Sequence, residues 1–393
     1  MDIRASLAAF AFDAERFESL RGRVSSGTLD PAANRMKTAP RPLSSAPADV
    51  RPAGMTADRK TALAALGEDA LRAGKVAILI LNGGMATRFG GGAKGVVPIL
   101  DGRPNVSFLA VKLAQIKVLA DQLGASIPVV LMHSFATAGP SREHLTAIDW
   151  SGIPAADRFE FEQSIMPRVL ADGTPLAELS GTSELADTSL FSAPGHGDTH
   201  GRLRGSGVLA SLRERGVEHI LVSNVDNLGA SLDPVVLGAH LESVDAGAGL
   251  SVEVVRREAG DAGGCVALLP DSQRPAIIEG FRLPEGTDVS DYPHFNTNTL
   301  WFSAASVDTD VELTWFAVRK KIAWPEGAGG PRTTEGTLEV VQFETLIGQL
   351  TEHIDSAYLD VDRAERFLPI KTRDDLGTCS ALLRGFAEAA GLG

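Results

Sequence analysis

The chain has 393 residues, of which 44% are hydrophobic and 22% are charged, and its formal net charge is -13 at pH 7. This length predicts a large hydrophobic core and two or three domains, and the acidic charge argues against nucleic-acid binding, which usually needs a basic face. Because no apolar run approaches the ~20 residues of a membrane-spanning helix and the two cysteines form no CxxC pair, we expect a cytoplasmic protein without a membrane span, a zinc site or a disulfide framework.

The N-terminal residues are predicted to form two helices separated by an extended segment. Apolar residues recur at helical spacing over residues 5–24. Residues 38–54 are rich in proline, alanine and serine, which predicts a linker or a segment that wraps around the core. A second helix is predicted from Thr56 to about Ala73.

A short apolar run from Val76 to Leu81 is followed by a glycine-rich loop that reaches Gly95. The run is rich in β-branched residues, so it predicts a strand that is buried on both faces. Glycines let successive backbone N–H groups approach and bind an anion, and Arg88 and Lys94 add positive charge. The stretch therefore predicts a nucleoside polyphosphate site, and a glycine-rich surface loop without chemistry is the alternative.

Two common phosphate motifs do not match this loop. Lys94 is followed by Gly95 rather than by serine or threonine, so the loop is not a Walker A motif. A literal GxGxxG occurs at Gly90, Gly92 and Gly95, but it lies well past the strand end and runs into Val-Val-Pro instead of a helix. This placement disfavours a dinucleotide-dependent oxidoreductase.

The next elements complete a strand–helix–strand unit. Helical periodicity covers residues 107–123, and an apolar strand is predicted over residues 127–132, which together with the first strand indicates a parallel sheet. Ligands bind such sheets at the carboxyl ends of the strands, where the glycine-rich loop begins. A further strand over residues 158–162 ends at Gln163.

Two polar stretches follow in the middle of the chain. The sequence PGHGD, residues 194–198, predicts a tight turn that presents His196, although a solvated loop histidine is the alternative. A strand over residues 217–223 leads to Asp226, at the strand end where a Mg²⁺ ligand would lie, because Mg²⁺ commonly takes one or two carboxylates plus substrate phosphates. A turn or cap aspartate is the alternative for Asp226, and Asp233 is better explained as a helix N-cap.

The following strands include one with two carboxamides. Strands are predicted over residues 250–255 and 265–269, and a further apolar strand begins near His294. This last strand contains Asn296 and Asn298, whose side chains both donate and accept hydrogen bonds and so suit sugar hydroxyls. Structural asparagine turns are the alternative.

The C-terminal residues are predicted to form a helix over 338–350, a strand over 355–361 and a final helix capped by Asp374 and Asp375. Between the last two elements lies the sequence RFLPIKT, residues 366–372. Pro369 stiffens the approach to Lys371 and apolar residues flank it, but a solvated surface charge is the usual role of an exposed lysine and is the alternative.

In their order along the chain, these motifs resemble those of the UTP–glucose-1-phosphate uridylyltransferase family across about residues 76–377. The matching pieces are LNGG with a lysine, LMHSF, FxQSxxPR, PGHGD, SNVDNLGA, FNTNTLW and FLPIKT. SNVDNLGA and FNTNTLW are closer to this family than to the related UDP-N-acetylhexosamine pyrophosphorylases. The chain departs from the family's loop pattern at Ala86, where glycine is usual, and at Ala93, where proline is usual.

The resemblance implies an α/β fold with a Rossmann-like nucleotidyltransferase core on a mixed, mostly parallel sheet. It implies three parts: an N-terminal helical segment and linker over residues 1–75, a nucleotide-sugar-binding catalytic core over residues 76–335, and a small C-terminal lobe over residues 336–393. Many eukaryotic members end in a left-handed β-helix, but this sequence has no hexapeptide pattern, so no C-terminal β-helix is expected.

The resemblance also implies a role for each matching residue. The implied substrate-binding residues are Leu81, Asn82, Gly83, Gly84 and Gln163 at the uracil, Gly195 and His196 near the nucleotide and sugar phosphate, Asn296 and Asn298 at the hexose, and Asn224. The implied catalytic residues are Lys94, Arg88 and Lys371, which would meet the phosphates. Asp226 would hold Mg²⁺.

The implied reaction is a reversible in-line uridylyl transfer that converts UTP and glucose 1-phosphate into UDP-glucose and pyrophosphate. The attacking phosphate oxygen is already ionised, so the site needs alignment and charge neutralisation rather than a general base. The expected partners are these small molecules, and the expected state is a monomer or a small homo-oligomer. The alternatives are a UDP-sugar or UDP-N-acetylhexosamine pyrophosphorylase, and a non-catalytic sugar-nucleotide-binding regulator.

Overall fold

The computed structural model of the chain describes residues 7–183, 185–261, 263–331 and 335–393. Over these residues a ten-stranded sheet forms the centre, and two two-stranded sheets lie beside it. The strands are, in chain order, β1 (Ala48–Asp49), β2 (Val76–Leu81), β3 (Val129–His133), β4 (Arg158–Glu162), β5 (Met166–Pro167), β6 (Phe191–Ser192), β7 (His219–Asn224), β8 (Leu250–Arg256), β9 (Cys265–Leu268), β10 (Pro275–Ile278), β11 (His294–Ser303), β12 (Phe316–Ala323), β13 (Thr337–Glu344) and β14 (Ser356–Asp360).

Twelve α-helices accompany these strands in the same residues. They are α1 (Ala14–Ser25), α2 (Ala57–Arg72), α3 (Phe108–Leu123), α4 (Ala138–Ala147), α5 (Asp187–Leu190), α6 (Asp198–Gly205), α7 (Val208–Glu214), α8 (Pro234–Asp245), α9 (Ala304–Val307), α10 (Arg363–Arg366), α11 (Arg373–Thr378) and α12 (Ser380–Ala389). Among the helices described, none is both long enough and apolar enough to cross a membrane.

The central sheet is mixed and mostly parallel, as predicted. Its order is β1-β14-β8-β11-β7-β2-β3-β4, and β9 and β10 extend from β11. The predicted strand–helix–strand unit is confirmed, because β2 and β3 pair in parallel from Ile78 and Val129 to Leu81 and Met132. β11 runs antiparallel to β7, β8 and β9, whereas the pairs along the rest of this path are parallel.

β2 is buried along its whole length because helices cover both faces of the sheet. Ile78 and Ile80 pack with residues of α2, α3 and α8, whereas Ala77 and Leu79 pack with residues of α6 and α7. Helices α2 and α8 cross closely at Gly67, where an added Cβ atom would lie 2.1 Å from the carbonyl oxygen of Pro234. The glycine-rich loop therefore starts from a strand that is buried on both faces.

The N-terminal residues follow the prediction only in part. The helix expected over residues 5–24 begins later, as α1, after Asp13 accepts a hydrogen bond from the N–H of Arg16. The helix predicted from Thr56 is confirmed as α2, with Thr56 as its N-cap. The extended segment before it supplies β1, which pairs in parallel with β14 at the edge of the central sheet.

The helix predicted over residues 338–350 is wrong. Residues Thr337–Glu344 form β13, which pairs antiparallel with β12 along its length, and a short 3₁₀ helix follows at Ile347–Glu352. Val340, Val341 and Phe343 suit a strand, and β12 supplies the hydrogen-bonding partner. The sequence analysis missed β12, so it lacked the long-range contact that decides this conformation.

The C-terminal helix is also different in detail. The single helix expected after Asp374 and Asp375 is two helices, α11 and α12, which meet at Cys379. Thr372 is the N-cap of α11, and Asp375 closes a capping box by accepting from the N–H of Thr372. The strand predicted over residues 355–361 is confirmed as β14, and the division into three parts stays a prediction.

Candidate active site

The carboxyl ends of β2, β3 and β7 open into a cavity of about 480 Å³. Most of the candidate residues line this cavity, namely Leu81, Gly83, Gly84, Lys94, Gln163, Gly195, His196, Asn224 and Asp226. A larger cavity of about 710 Å³ lies at the opposite end of the sheet, around Lys75 and His219, and contains none of the candidates. We therefore take the cavity at the carboxyl edge, hereafter the edge cavity, as the candidate active site.

The glycine-rich loop folds back on itself beside the edge cavity. The N–H of Ala86 donates to the carbonyl oxygen of Gly92 (2.8 Å), and the N–H of Lys94 donates to that of Gly84 (3.0 Å). The glycines at 90–92 have positive φ angles of 104°, 103° and 81°, which side chains other than glycine rarely allow. These glycines therefore give the loop the reversal that brings Lys94 back to the strand end.

The two departures from the family's loop pattern fit this path. Ala86 has a φ of −84°, and Ala93 has a φ of −78° with a ψ of 133°. Neither residue has the positive φ that would favour glycine, and the φ of Ala93 is close to the value that a proline would impose. Neither departure therefore forces the loop away from the cavity.

Lys94 and Asp226 form an ion pair in the wall of the edge cavity. Nζ of Lys94 donates to Oδ2 of Asp226, and the two side chains are only 17% and 15% exposed. The ammonium also lies 5.8 Å from the ring centroid of Phe89. Because little water reaches this pair, its charges interact more strongly than those of an exposed pair.

Asp226 is a single carboxylate rather than part of a metal cage. Within the described ranges, no group of three or more histidine, cysteine, aspartate or glutamate side chains is placed to hold a metal ion. One carboxylate still suits Mg²⁺, which commonly takes its other ligands from water and substrate phosphates. The residues present therefore fit a Mg²⁺ ion bound together with a nucleotide.

A buried lysine that the sequence analysis missed supports the loop after β7. Nζ of Lys112 donates to Oγ of Ser223 and to the carbonyl oxygen of Ala230, each at 2.8 Å. Burial lowers the pKa of Lys112 to about 7. Its signal in the sequence is a lysine between apolar neighbours on the inner face of a predicted helix.

The PGHGD turn packs against the segment after β13. Gly195 has a φ of +79°, and a Cβ atom on Gly197 would lie 2.5 Å from the backbone nitrogen of Leu346. Nδ1 of His196 accepts the N–H of Ile347 (3.0 Å), and burial lowers the pKa of His196 to about 4. The imidazole is therefore neutral at pH 7 and contributes no positive charge to the cavity.

Gln163 connects this turn to the glycine-rich loop. Its Nε2 donates to the carbonyl oxygen of Gly195 (2.7 Å). Its Oε1 lies so close to Gly83 that an added Cβ there would come within 2.1 Å of it. The glutamine is therefore held in one orientation at the cavity wall.

Asn296 and Asn298 lie at a bulge in β11, next to the edge cavity. Asn298 has a φ of +59°, and its N–H donates to Oδ1 of Asn296 (3.0 Å), which is the asparagine turn considered above. Nδ2 of Asn298 donates to Oδ1 of Asn224 (3.0 Å), whereas its own Oδ1 is buried and has no hydrogen-bond partner among the described residues. This free acceptor suits a hydroxyl donor.

Glu279 is a second residue that the sequence analysis missed. Burial raises the pKa of its carboxyl group, and hydrogen bonds from Asn296 and from the backbone of Gly264 partly oppose that shift. An added Cβ on Gly264 would lie 2.8 Å from Oε1 of Glu279. A carboxylate that follows a short apolar strand is the signal that could have identified it.

Asn82 lies beneath the edge cavity. It is fully buried, and its Nδ2 donates to Oγ of Ser141 (2.8 Å) and contacts Nδ1 of His133 (3.1 Å). An added Cβ on Gly95 would lie 2.1 Å from Oδ1 of Asn82. Its side chain therefore braces the base of the loop, its N–H donates to the carbonyl oxygen of Met132 (2.8 Å), and the residue does not line the cavity.

Arg88 and Lys371 are exposed and do not line the edge cavity. Arg88 lies in a short 3₁₀ turn of the glycine-rich loop. Lys371 follows Ile370, whose N–H donates to the carbonyl oxygen of Asp226 (3.4 Å). One cation thus lies on the loop that contributes Lys94 to the cavity, and the other lies on the segment that is bonded to the backbone of Asp226.

Comparison with protein families and curated proteins places this site in context. Residues 49–384 match the family model for UTP–glucose-1-phosphate uridylyltransferase. A probable UTP–glucose-1-phosphate uridylyltransferase of Schizosaccharomyces pombe is 32% identical over 317 residues, which are 77% of this chain and 58% of that protein. The enzyme of Saccharomyces cerevisiae is 32% identical over 314 residues with the same coverage. The chain thus spans 58% of the length of these two relatives.

Two solved structures also match the fold of this chain. A crystal structure of a UDP-glucose pyrophosphorylase variant from Leishmania major, in complex with UDP-glucose, matches with a TM-score of 0.71 and 25% identity over 95% of this chain and 77% of that one. A UDP-N-acetylglucosamine pyrophosphorylase from Trypanosoma brucei matches with a TM-score of 0.73 and 20% identity over 97% of this chain and 78% of that one. The second likeness concerns the fold alone.

Proposed function

Because the chain belongs to the UTP–glucose-1-phosphate uridylyltransferase family, we propose that it forms UDP-glucose and pyrophosphate from UTP and glucose 1-phosphate. The observation that best supports this reaction is the edge cavity, in which the glycine-rich loop, Lys94 and Asp226 meet. A cation and a carboxylate beside an anion-binding loop suit the binding of a polyphosphate with a divalent metal.

In the proposed reaction, a phosphate oxygen of glucose 1-phosphate attacks the α-phosphorus of UTP. The new P–O bond forms as the bond between the α-phosphorus and the bridging oxygen of the β-phosphate breaks, and pyrophosphate leaves with its electron pair. The attacking oxygen carries its charge at neutral pH, so no side chain needs to remove a proton. Catalysis then depends on alignment and on neutralising charge.

The residues of the site divide this work by position. The backbone of residues 81–84 and Gln163 would hold the uracil, and Gly195 and His196 would lie near the sugar phosphate. The carboxamides of Asn224, Asn296 and Asn298 would contact the hexose, and we add Glu279 as a hydroxyl acceptor on the same side. Lys94 and Arg88 from the glycine-rich loop, and Lys371 from the C-terminal segment, would meet the phosphates.

Asp226 would hold the proposed Mg²⁺. When bound, the ion would neutralise phosphate charge that the lysines leave uncovered. In the free protein Lys94 pairs with Oδ2 of this carboxylate, so its ammonium competes with a metal for Asp226 until the lysine turns toward the phosphates. Polyphosphate carries several negative charges against the single charge of Asp226, so binding of UTP favours that exchange.

The first experiment measures pyrophosphate release, with Mg²⁺, from UTP, dTTP, ATP and GTP against the 1-phosphates of glucose, galactose and N-acetylglucosamine. We expect the highest rate for UTP with glucose 1-phosphate, and loss of activity on addition of EDTA or in Asp226→Asn. A maximum at another pair would keep the mechanism and change the substrate. No release from any pair, with UDP-glucose still bound, would replace the proposed enzyme by a sugar-nucleotide-binding regulator.

A second experiment tests the competition between Lys94 and a metal at Asp226. Mn²⁺ binding is measured by electron paramagnetic resonance without nucleotide, so the readout does not depend on turnover. We expect Lys94→Met to bind Mn²⁺ at least about tenfold more tightly than the parent, because the competing ammonium is removed.

The matched control for this experiment is Arg88→Met. It removes the same charge from the same loop but breaks no contact with Asp226, and we expect it to leave Mn²⁺ affinity unchanged. Asp226→Asn should abolish the gain in a Lys94→Met background. Equal affinity in Lys94→Met and the parent would contradict the proposed exchange.

A further inference from the structure

Asn227 joins two sequence motifs that carry candidate catalytic residues. It lies in the loop after β7, beside the candidate metal ligand, and only 1% of its surface is exposed. Its Nδ2 donates to the carbonyl oxygen of Arg366 (3.0 Å), and its Oδ1 accepts the N–H of Leu368 (2.9 Å). Both ends of one buried amide therefore hold the segment that leads to Lys371.

Arg366 anchors the start of that segment in the core. Its Nε and one terminal nitrogen donate to both carboxylate oxygens of Glu253, at 2.9 and 2.6 Å, and its other terminal nitrogen donates to the carbonyl oxygen of Ser231 (2.9 Å). The side chains of this ion pair are 5% and 0% exposed. Nε1 of Trp301 donates to the same carboxylate (3.0 Å), so β8 and β11 are tied to the anchor as well.

The loop after β7 and the C-terminal segment also touch through their backbones on either side of Asn227. Pro369 forms an antiparallel bridge with Asn227, and the N–H of Ile370 donates to the carbonyl oxygen of Asp226. On the other side, Gly229 approaches so closely that a Cβ atom there would lie 2.5 Å from the carbonyl oxygen of Glu365. The C-terminal segment thus follows the loop up to the residue before the lysine.

We propose that Asn227 and Arg366 are positioning residues that fix Lys371 relative to Asp226. This inference rests on the proposed function, because it assumes that Lys371 and Asp226 belong to one phosphate site. Neither Asn227 nor Arg366 lines the edge cavity, so each acts through the segment it holds. An exposed lysine on an unclamped segment would lose entropy each time it reached the phosphates, and the clamp removes most of that cost in advance.

The test is a mutant cycle on turnover with Asn227→Ala, Lys371→Ala and the double variant. We expect Lys371→Ala to lower kcat about 100-fold and Asn227→Ala to lower it about 10- to 100-fold, with a smaller change in KM for UTP. The double variant should be within about threefold of Lys371→Ala, because Asn227 acts through that lysine. Effects that multiply in the double variant would overturn the proposal.

Asn34→Ala is the matched control for a purely structural amide. Its Nδ2 donates to the carbonyl oxygen of Ala317 (2.8 Å), and its Oδ1 accepts the N–H of the same residue (3.3 Å), so it clamps β12 away from the cavity. We expect this variant to lower the melting temperature without lowering kcat. The same pattern in Asn227→Ala would show that its role is structural only.

Hydrogen exchange gives a readout that needs no turnover. Amides in a peptide covering residues 366–371 should exchange faster in Asn227→Ala than in the parent, and Asn34→Ala should leave that peptide unchanged. Unchanged exchange in Asn227→Ala would overturn the clamp whatever the activity. If the parent transferred no uridylyl group but Asn227→Ala still exchanged faster than the parent, the clamp would stand and the proposed function would be overturned.

Discussion

The Lys94→Met variant is expected to show a kcat about 10²- to 10³-fold lower than the parent in uridylyl transfer. In the proposed reaction, charge develops on the bridging oxygen as pyrophosphate leaves, in a cavity whose lysine is only 17% exposed. A preorganised ammonium stabilises this charge far more than a solvated one does. We therefore expect kcat to fall more than KM for UTP rises, as seen in initial rates over a range of UTP concentrations.

A control separates this effect from the loss of one surface charge. Lys321 is exposed on β12 and lies outside the edge cavity, so Lys321→Met should keep the parental kcat. Thermal melting of both variants should confirm that the fold is intact. If Lys94→Met raised only the KM, the lysine would bind ground state and transition state equally and its assignment as catalytic would be wrong.

Arg366→Met is expected to lower the free energy of unfolding by about 3–5 kcal/mol. Burial opposes the charge on Arg366, but the Glu253 carboxylate beside it keeps the pKa of the guanidinium above its ordinary value. Without the arginine, a carboxylate with 0% exposure is left without its counter-charge. The measurement is urea unfolding of Arg366→Met and the parent at pH 7. Equal m-values would show that the difference in midpoint reports a difference in stability.

Arg319→Met provides the exposed counterpart of this substitution. Arg319 pairs with Glu339 at 3.4 Å, and the two side chains are 52% and 49% exposed. Because water already solvates both charges, we expect a change of only about 0–1 kcal/mol. A similarly small loss in Arg366→Met would indicate that water reaches Glu253 in the variant.

The position of the candidate site could be predicted from the sequence because parallel strands end at a common edge. β2 and β7 are adjacent and parallel. Asp226 follows β7 directly and Lys94 lies in the loop that follows β2, so both residues were expected at the same edge of the sheet. The comparisons with the family confirmed the α/β fold. Which atoms touch could not be predicted, because the ion pair between Lys94 and Asp226 depends on how the glycine-rich loop reverses.

The parts that the sequence analysis missed depend on contacts between distant segments. β13 looked helical in isolation, but its pairing with β12 makes it a strand. The ion pair between Glu253 of β8 and Arg366 joins two segments that the chain separates by 113 residues. The resemblance implies a role at the uracil for the backbone of Asn82, and no sequence pattern indicates that its side chain turns inward to Ser141 and His133. Local patterns carry no information about such partners.

The pairing of β1 with β14 affects how the protein is made in a cell. Ala48 lies opposite Leu359, so a ribosome releases the first of these strands long before the second exists. Once residues 250–256 have been made, β8 lacks its neighbour β14 until residues 356–360 follow, and its free edge can then pair with strands of other chains. Long-range parallel pairing also forms slowly. We therefore expect the incomplete chain to be more prone to aggregate than the finished one, in which β14 covers this edge of β8.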